Sequence, residues 1–275
     1  MDKPFQQFSH KVHWLVDFNN RACPAFYPDG GKSMTDFQES LTQRTDHIVL
    51  SSNSLLKELQ LYYPDYKNKI SILRFACSLP SLGEINIAEL KKKYDLTRTY
   101  FMSPNQFWEH KNQLVLIEAL RVLKQKGLID FDLVFTGSMT VTRGKGHMLE
   151  KLLEKVNEYG LKEQIKFLGI IDRSEQLVLM KHAKALIQPS LYEGWSTLVE
   201  EAKALDQRII LSDLPVHREQ DCMNSYFFDP TSPEQLAEKI ALVSKKGEVI
   251  RKTDYTKNVV QFGDDILKML LHELN

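Results

Sequence analysis

Short unbroken apolar runs, each followed by a stretch with helical apolar spacing, recur along almost the whole of this 275-residue chain. A strand that is apolar on both faces must be covered on both faces, and helices between such strands supply the cover. The alternation therefore predicts a parallel sheet between two helical layers. Strands are expected at 12–18, 47–51 and 70–75, with helices at 33–45, where Ser33 is placed as N-cap, and at 53–62, which Pro64 stops. Residues 78–83, with Pro80 inside, read as a linker. Beyond it the rhythm is regular. Strands at 99–102, 133–136, 165–170, 185–188, 208–212 and 226–228 alternate with helices at 112–126, around Met148 to Val156, and at 174–183, 197–205 and 233–243. Residues 96–243 thus make a complete doubly wound domain. The fold class is α/β: a Rossmann-like doubly wound parallel sheet at 85–247, a partial N-terminal α/β segment at 1–84, and a C-terminal helix at 248–275 that packs back on that segment.

Composition narrows the function. Lys plus Arg and Asp plus Glu both total 36, so no basic excess exists to select a nucleic acid. Cys23, Cys77 and Cys222 are far apart and odd in number, and read as reduced thiols. No apolar run is long enough to cross a membrane, and residues 1–5 do not open a signal peptide. A cytoplasmic protein is expected, at most peripheral to the inner face of a membrane.

A doubly wound sheet binds ligands at the carboxyl ends of its strands, so the loops after Met102, Thr136, Ile170, Gln188 and Ser212 carry the site. The loop after Gln188 runs Pro189-Ser190-Leu191-Tyr192-Glu193-Gly194-Trp195-Ser196-Thr197-Leu198 into a helix that holds Glu200 and Glu201. Gly194 permits a tight turn. Ser196 and Thr197 mark a helix start, where free backbone N–H groups suit a phosphate. Glu201 lies one turn beyond Thr197 and can accept from ribose hydroxyls, while Glu193 can do the same for a sugar. Otherwise one of the two glutamates is a capping carboxylate and the other a solvated helix residue. Lys111, in the loop after Met102, would oppose the dipole at a helix start unless it faces an anion. The Asp130-Phe131-Asp132 pattern opens a strand at its amino end, the wrong end for a ligand, so no metal is expected. His47, His147, His182 and His272 are isolated. His217 either borders the ligand or is an ordinary loop histidine. Lys91-Lys92-Lys93 reads as a solvated helix face.

These segments together resemble the family 4 glycosyltransferases, a GT-B family. The residues that carry the likeness are Asn105-Gln106-Phe107-Trp108-Glu109-His110-Lys111-Asn112, Phe135-Thr136-Gly137, Phe167-Leu168-Gly169, Glu193-Gly194-Trp195 with Glu201, Asp213-Leu214-Pro215 and Phe228-Asp229-Pro230. The resemblance covers residues 99–243, with a weaker match at Ser51-Ser52-Asn53-Ser54. It implies a retaining, metal-independent transferase of polysaccharide biosynthesis that takes a nucleoside-diphosphate sugar and a glycan or lipid-linked acceptor. Glu193 would contact the transferred sugar and Lys111 would neutralise the leaving diphosphate. Gln106, Gly137, Gly194, Ser196, Thr197, Leu198 and Glu201 would hold the donor, with Glu201 on the ribose. Gln106 stands where the family usually has an arginine. The strand end Asp17-Phe18-Asn19-Asn20 lacks the histidine found in many relatives. The 90 or so residues before the donor domain resemble only the end of an acceptor domain, so an enzyme and a donor-binding module that needs a partner chain, or self-association, both stand. A sugar-nucleotide epimerase is a third reading, against which the Glu-Gly-Trp loop speaks.

Overall fold

The computed structural model describes residues 10–83, 85–140, 147–221, 224–247 and 250–273. Residues 1–5 and Cys222, named above, lie outside them, as does the side chain of His272. The first sheet has three parallel strands in sequential order: β1 (Val12–Trp14), β2 (His47–Leu50) and β3 (Lys69–Ile72). Between them lie α1 (Asn19–Ala22), α2 (Lys32–Arg44) and α3 (Asn53–Tyr62). Leu15, Phe18, Ile48, Leu50, Leu55 and Leu59 form its core. Ser52 caps α3 by accepting from the Leu55 amide at 3.0 Å. Ser33 is not a cap. The residue before α2 is Gly31 at φ +81°, and Ser33 lies inside the helix, where its hydroxyl donates to Asp29 at 2.5 Å. An alanine at Gly31 would place Cβ 2.6 Å from the Asn20 carbonyl oxygen, which is why the chain turns there on glycine rather than on serine.

After α4 (Ile87–Lys93) come β4 (Thr99–Pro104), α5 (Gln113–Gln125), β5 (Phe131–Thr136), α6 (Met148–Glu158), β6 (Ile165–Phe167), α7 (Arg173–His182), β7 (Leu186–Gln188), α8 (Thr197–Ala204), β8 (Ile209–Ser212), α9 (Pro215–Glu219), β9 (Ser225–Phe228) and α10 (Pro233–Ser244). The six strands are all parallel, in the order β6-β5-β4-β7-β8-β9. This is a doubly wound sheet whose order reverses between β4 and β7. Successive strand residues face opposite layers. Phe101, Leu133, Phe135, Ile187 and Ile210 pack under α5, α6 and α10, while Tyr100, Met102, Val134, Leu186, Ile209 and Leu211 pack under α4, α7 and α8. Residues 215–219, expected as loop, form a short helix that starts on Pro215, whose missing N–H costs nothing in a first turn. The last helix, α11 (Thr256–Glu273), returns to the first sheet, where Phe262 meets Trp14 at 6.3 Å between ring centroids.

The two sheets meet along the loop after β7. Tyr192 accepts from the Phe18 amide at 2.8 Å, Ser52 donates to the Gly194 carbonyl at 3.1 Å, and the Trp195 indole donates to the Phe75 carbonyl at 3.0 Å. Glu219 of α9 accepts from the Asn53 and Ser54 amides at the start of α3, and from Arg74 at 2.6 Å. Gly194 is needed for this approach, since a Cβ there would lie 2.3 Å from the Val16 carbonyl oxygen. Gly194→Ala is therefore expected to force the sheets apart and to lower the unfolding free energy by about 1–3 kcal/mol, the cost of overpacking. Urea melts of the two proteins measure it, and equal midpoints would refute the contact.

Candidate functional site

A cavity of about 230 Å3 opens at the point where the strand order reverses, at the carboxyl ends of β4 and β7. Pro104, Asn105 and Lys111 line it from the β4 side, Gln188, Glu193, Trp195, Ser196, Thr197, Leu198 and Glu201 from the β7 side, and Arg173 from the start of α7. Six of the nine residues expected at the site converge here. Gln106, Gly137 and Gly194 do not line the cavity. The Gln106 side chain is exposed and accepts from the Ser138 amide at 3.0 Å. Gly137, at φ +147°, lets the end of β5 approach the Asn105 carbonyl, which a Cβ would meet at 2.6 Å. Gly194 forms the seam described above.

Lys111 lies in a 3-10 turn, Glu109–Lys111, that ends one residue before the N-cap of α5, so it stands just ahead of that helix rather than inside it. Its ammonium donates to Glu193 Oε1 at 2.6 Å. Gln188 and Ser190 donate to the same oxygen, each at 2.6 Å. Burial alone would push the Glu193 carboxyl up, but the Lys111 charge and these hydrogen bonds overcome it and hold the group below the ordinary carboxylate range. Glu193 is thus an anion at neutral pH.

At the other end Arg173 pairs with Glu201, whose side chain is only 10% exposed. Burial outweighs the arginine here and leaves the Glu201 carboxyl above its usual value. The two lining cations each face a lining carboxylate, so their charges cancel within the cavity. Between the pairs lies the start of α8. The Ser196 amide is not available, because it donates to Gln220 at 2.8 Å. Thr197 and Leu198 line the cavity, and their amides, in the first helical turn, have no intrahelical acceptor. Ser196 Oγ also lines it, buried and without a hydrogen-bond partner among the described residues. A polar wall of this kind suits an anion with hydroxyls on either side.

Several residues were not singled out by sequence reading. Arg173 directly follows Asp172, the cap of α7, and so looks like a surface residue. Gln188 and Ser190 could have been found as polar positions at the end of an apolar strand. Asp132 does lie at the amino end of β5, where it pairs with Arg98 at 2.5 Å. No group of three or more His, Cys, Asp or Glu among the described residues could hold a metal. His217 is buried with Nδ1 2.8 Å from the Ser212 carbonyl and is not among the residues that line the cavity. Cys23 and Cys77 are free thiols. No described helix is long and apolar enough to cross a membrane.

His110, next to Lys111, has its pKa lowered to about 4 by burial and by the lysine charge. The unfolded chain binds this proton at a pH where the folded one refuses it. Stability is therefore full above the ordinary histidine pKa of about 6.5 and falls as pH drops towards 4. His110→Asn should flatten that fall in urea melts taken across this range, and an unchanged slope would refute the assignment.

A family model described as Glycosyl transferases group 1 matches residues 86–259. The O-antigen chain mannosyltransferase RfbU of Salmonella typhimurium is 22% identical over 251 residues, 90% of this chain and 65% of that protein. Sucrose-phosphate synthase from Thermosynechococcus elongatus superposes with a TM-score of 0.79 at 17% identity, over 99% of this chain and 70% of that one. Anabaena HepE in complex with UDP and glucose gives a TM-score of 0.72 at 14% identity, over 94% and 70%. The structural neighbours share the GT-B fold.

Proposed function

The chain belongs to the group 1 glycosyl transferases, and from that premise we propose that it transfers a sugar from a nucleoside-diphosphate sugar to a glycan or lipid-linked acceptor of a surface polysaccharide, with retention at the anomeric carbon and without a metal. The observation that carries this reading is a cavity with Lys111 and Glu193 at one end, Glu201 at the other and the first amides of α8 between. A diphosphate laid on the Thr197 and Leu198 amides puts the ribose against Glu201 and the sugar against Glu193. The bond from the anomeric carbon to the phosphate oxygen breaks, its electron pair leaves with the diphosphate, and Lys111 stabilises that charge. The acceptor hydroxyl oxygen forms the new bond, and its proton passes to the departing diphosphate. Such a protein would work in the cytoplasm or at the inner face of a membrane.

Ligand binding to the folded state alone raises stability by RT ln(1 + [L]/Kd), about 2.7 kcal/mol at a hundredfold excess over Kd. UDP, GDP, ADP and TDP, tested in turn by thermal melts, should include one that raises the Tm, with a chelator present or absent. No rise with any of them would refute the donor site, and a rise that needs a divalent ion would refute the metal-free reading.

The chain spans 65% of the length of its Salmonella relative, and one observation favours a second reading, a donor-binding half that acts with another chain. Among the described residues β1 pairs only with β2, and Val12, Trp14 and Val16 on that edge strand and the segment after it are exposed. Val260, Leu267, Leu270 and Leu271 are exposed on α11. Apolar surface of this extent marks an interaction site. Light scattering behind size exclusion should show a self-associated species, and a monomer that transfers sugar at ordinary turnover would exclude this reading.

A further inference from the structure

The start of α8 departs from the common pattern in one respect. A serine just before a helix ordinarily turns its hydroxyl back to accept from an amide of the first turn. Ser196 holds that position, at φ −89° and ψ 114°, and its side chain makes no such bond. Its Oγ is instead buried, on a residue that lines the cavity, with no partner among the described residues. The backbone of Ser196 is held from outside the helix. Gln220, which directly follows α9, accepts from the Ser196 amide at 2.8 Å through Oε1 and donates to the Ser196 carbonyl at 3.0 Å through Nε2. One side-chain amide thus pairs with both backbone polar groups of one residue.

A glutamine amide can be turned end for end with little change of shape, but its donors and acceptor then exchange places. Reversed here, it would set donor against donor at the Ser196 amide. The other contact of Nε2 fixes the orientation, because it goes to Glu200 Oε1 at 3.0 Å, and a carboxylate oxygen accepts. Glu200 is held in turn by Lys203 at 2.9 Å and by the Tyr255 hydroxyl, which donates to Oε2 at 2.8 Å. The Tyr255 oxygen accepts from the Cys77 amide at 3.0 Å. Cys77 follows β3 and Tyr255 directly precedes α11, so the two passages of the chain between the sheets meet beside this carboxylate. Gln220 and Glu200 are each 1% exposed, so water does not compete for these bonds.

We propose that Gln220 is a positioning residue for the donor's diphosphate, and that Glu200 and Tyr255 set its orientation. The proposal rests on the donor-site reading above. By holding Ser196 through its backbone, Gln220 fixes the start of α8 without spending the serine hydroxyl on a cap. The hydroxyl and the Thr197 and Leu198 amides, all on residues that line the cavity, are then left for a phosphate. Without Gln220 the Ser196 backbone is free to turn, its hydroxyl can fall back onto the first turn, and the phosphate loses donors. The ribose contact at Glu201 does not depend on this clamp.

Ligand-detected NMR titrations on the full chain test this with two probes. One is the nucleoside diphosphate that gives the largest thermal shift, and the other is the nucleoside of the same base, which carries the ribose and no phosphate. Gln220→Leu should weaken the diphosphate about tenfold and leave the nucleoside unchanged. Tyr255→Phe, which removes one hydroxyl, should move the ratio of the two affinities the same way and by less. A merely structural role would weaken both ligands alike and leave that ratio as it was. If Gln220→Leu does not fold, Tyr255→Phe and Glu200→Gln decide by the same ratio. An unchanged ratio in the folded variants would overturn the proposal and leave the donor site standing. A wild-type chain that binds no nucleoside diphosphate would remove the donor-site reading and this proposal with it.

Discussion

Lys111→Met is expected to lower the transfer rate by about 10²–10³, the effect of removing one group that stabilises developing charge, and to lower the unfolding free energy by about 3–5 kcal/mol. Methionine keeps an unbranched side chain, one atom shorter, and removes the charge together with its hydrogen-bond donors. Glu193 is then buried with Gln188 and Ser190 as its remaining donors. A buried carboxylate that loses its counter-ion is the costly case, because its desolvation is no longer offset. The pH dependence identifies the cause. In the wild-type protein Glu193 sits below the ordinary carboxylate range, so its contribution is complete above that range and disappears as pH falls through the lower folded value. Without Lys111, burial, the largest influence on this group, is opposed mainly by the remaining hydrogen bonds and raises the carboxyl. The variant should therefore lose stability as pH rises between about 4 and 7, while the wild type does not. Adding Glu193→Gln to Lys111→Met removes the stranded charge and should recover folding without recovering activity. A Lys111→Met protein with wild-type stability and a parallel pH profile would show that the pair does not matter to the fold.

Substitutions of the two glutamates should separate nucleotide from sugar. Glu201→Ala is expected to weaken the bare nucleoside diphosphate and the nucleotide sugar alike, since both carry the ribose. Glu193→Ala should spare the nucleotide and weaken only the nucleotide sugar, by the ~1.5–3 kcal/mol of a charged hydrogen bond. Arg173 belongs to the same experiment. Its guanidinium, half exposed, pairs with Glu201, so screening by water keeps the direct worth of the pair small. Its larger effect is on the Glu201 carboxyl, which burial already raises. Without the arginine that group should protonate more readily, and nucleotide affinity should fall with decreasing pH sooner in Arg173→Ala than in the wild type. Calorimetric titrations of four proteins with two ligands decide the matter. Equal losses for both ligands in both glutamate variants would show that the division of roles is wrong.

The doubly wound sheet was legible because each of its strands is apolar on both faces, a pattern with few solutions. The loops that form the cavity followed from the rule for carboxyl ends, without any individual contact being known. The sequence pattern does not carry pairings between distant residues. Lys111 and Glu193 stand 82 positions apart, and nothing in either segment marks them as partners of one another. Arg173 was invisible because nothing in Asp172-Arg173-Ser174 distinguishes an arginine that turns into a cavity from one in solvent. Gln220, which takes the Ser196 amide, is likewise beyond any local pattern, because it reaches α8 from the end of α9. A serine near a helix start usually caps it, but here the residue before the helix has left-handed φ and lies so close to the Asn20 carbonyl that a Cβ would clash, so glycine stands there.

The seam between the sheets runs through Tyr192, Gly194 and Trp195, and Glu193 and Trp195 of the same short loop line the cavity. A hinge would ordinarily lie away from the chemistry, so that closing and binding could proceed independently. Here the latch and the pocket wall are one piece of chain. Any rotation that parts the sheets pulls on the loop that holds Glu193, and the bonds of Glu193 to Lys111, Gln188 and Ser190 resist it. A substitution that loosens the seam would therefore disturb the cavity wall as well, and one in the wall would disturb the seam.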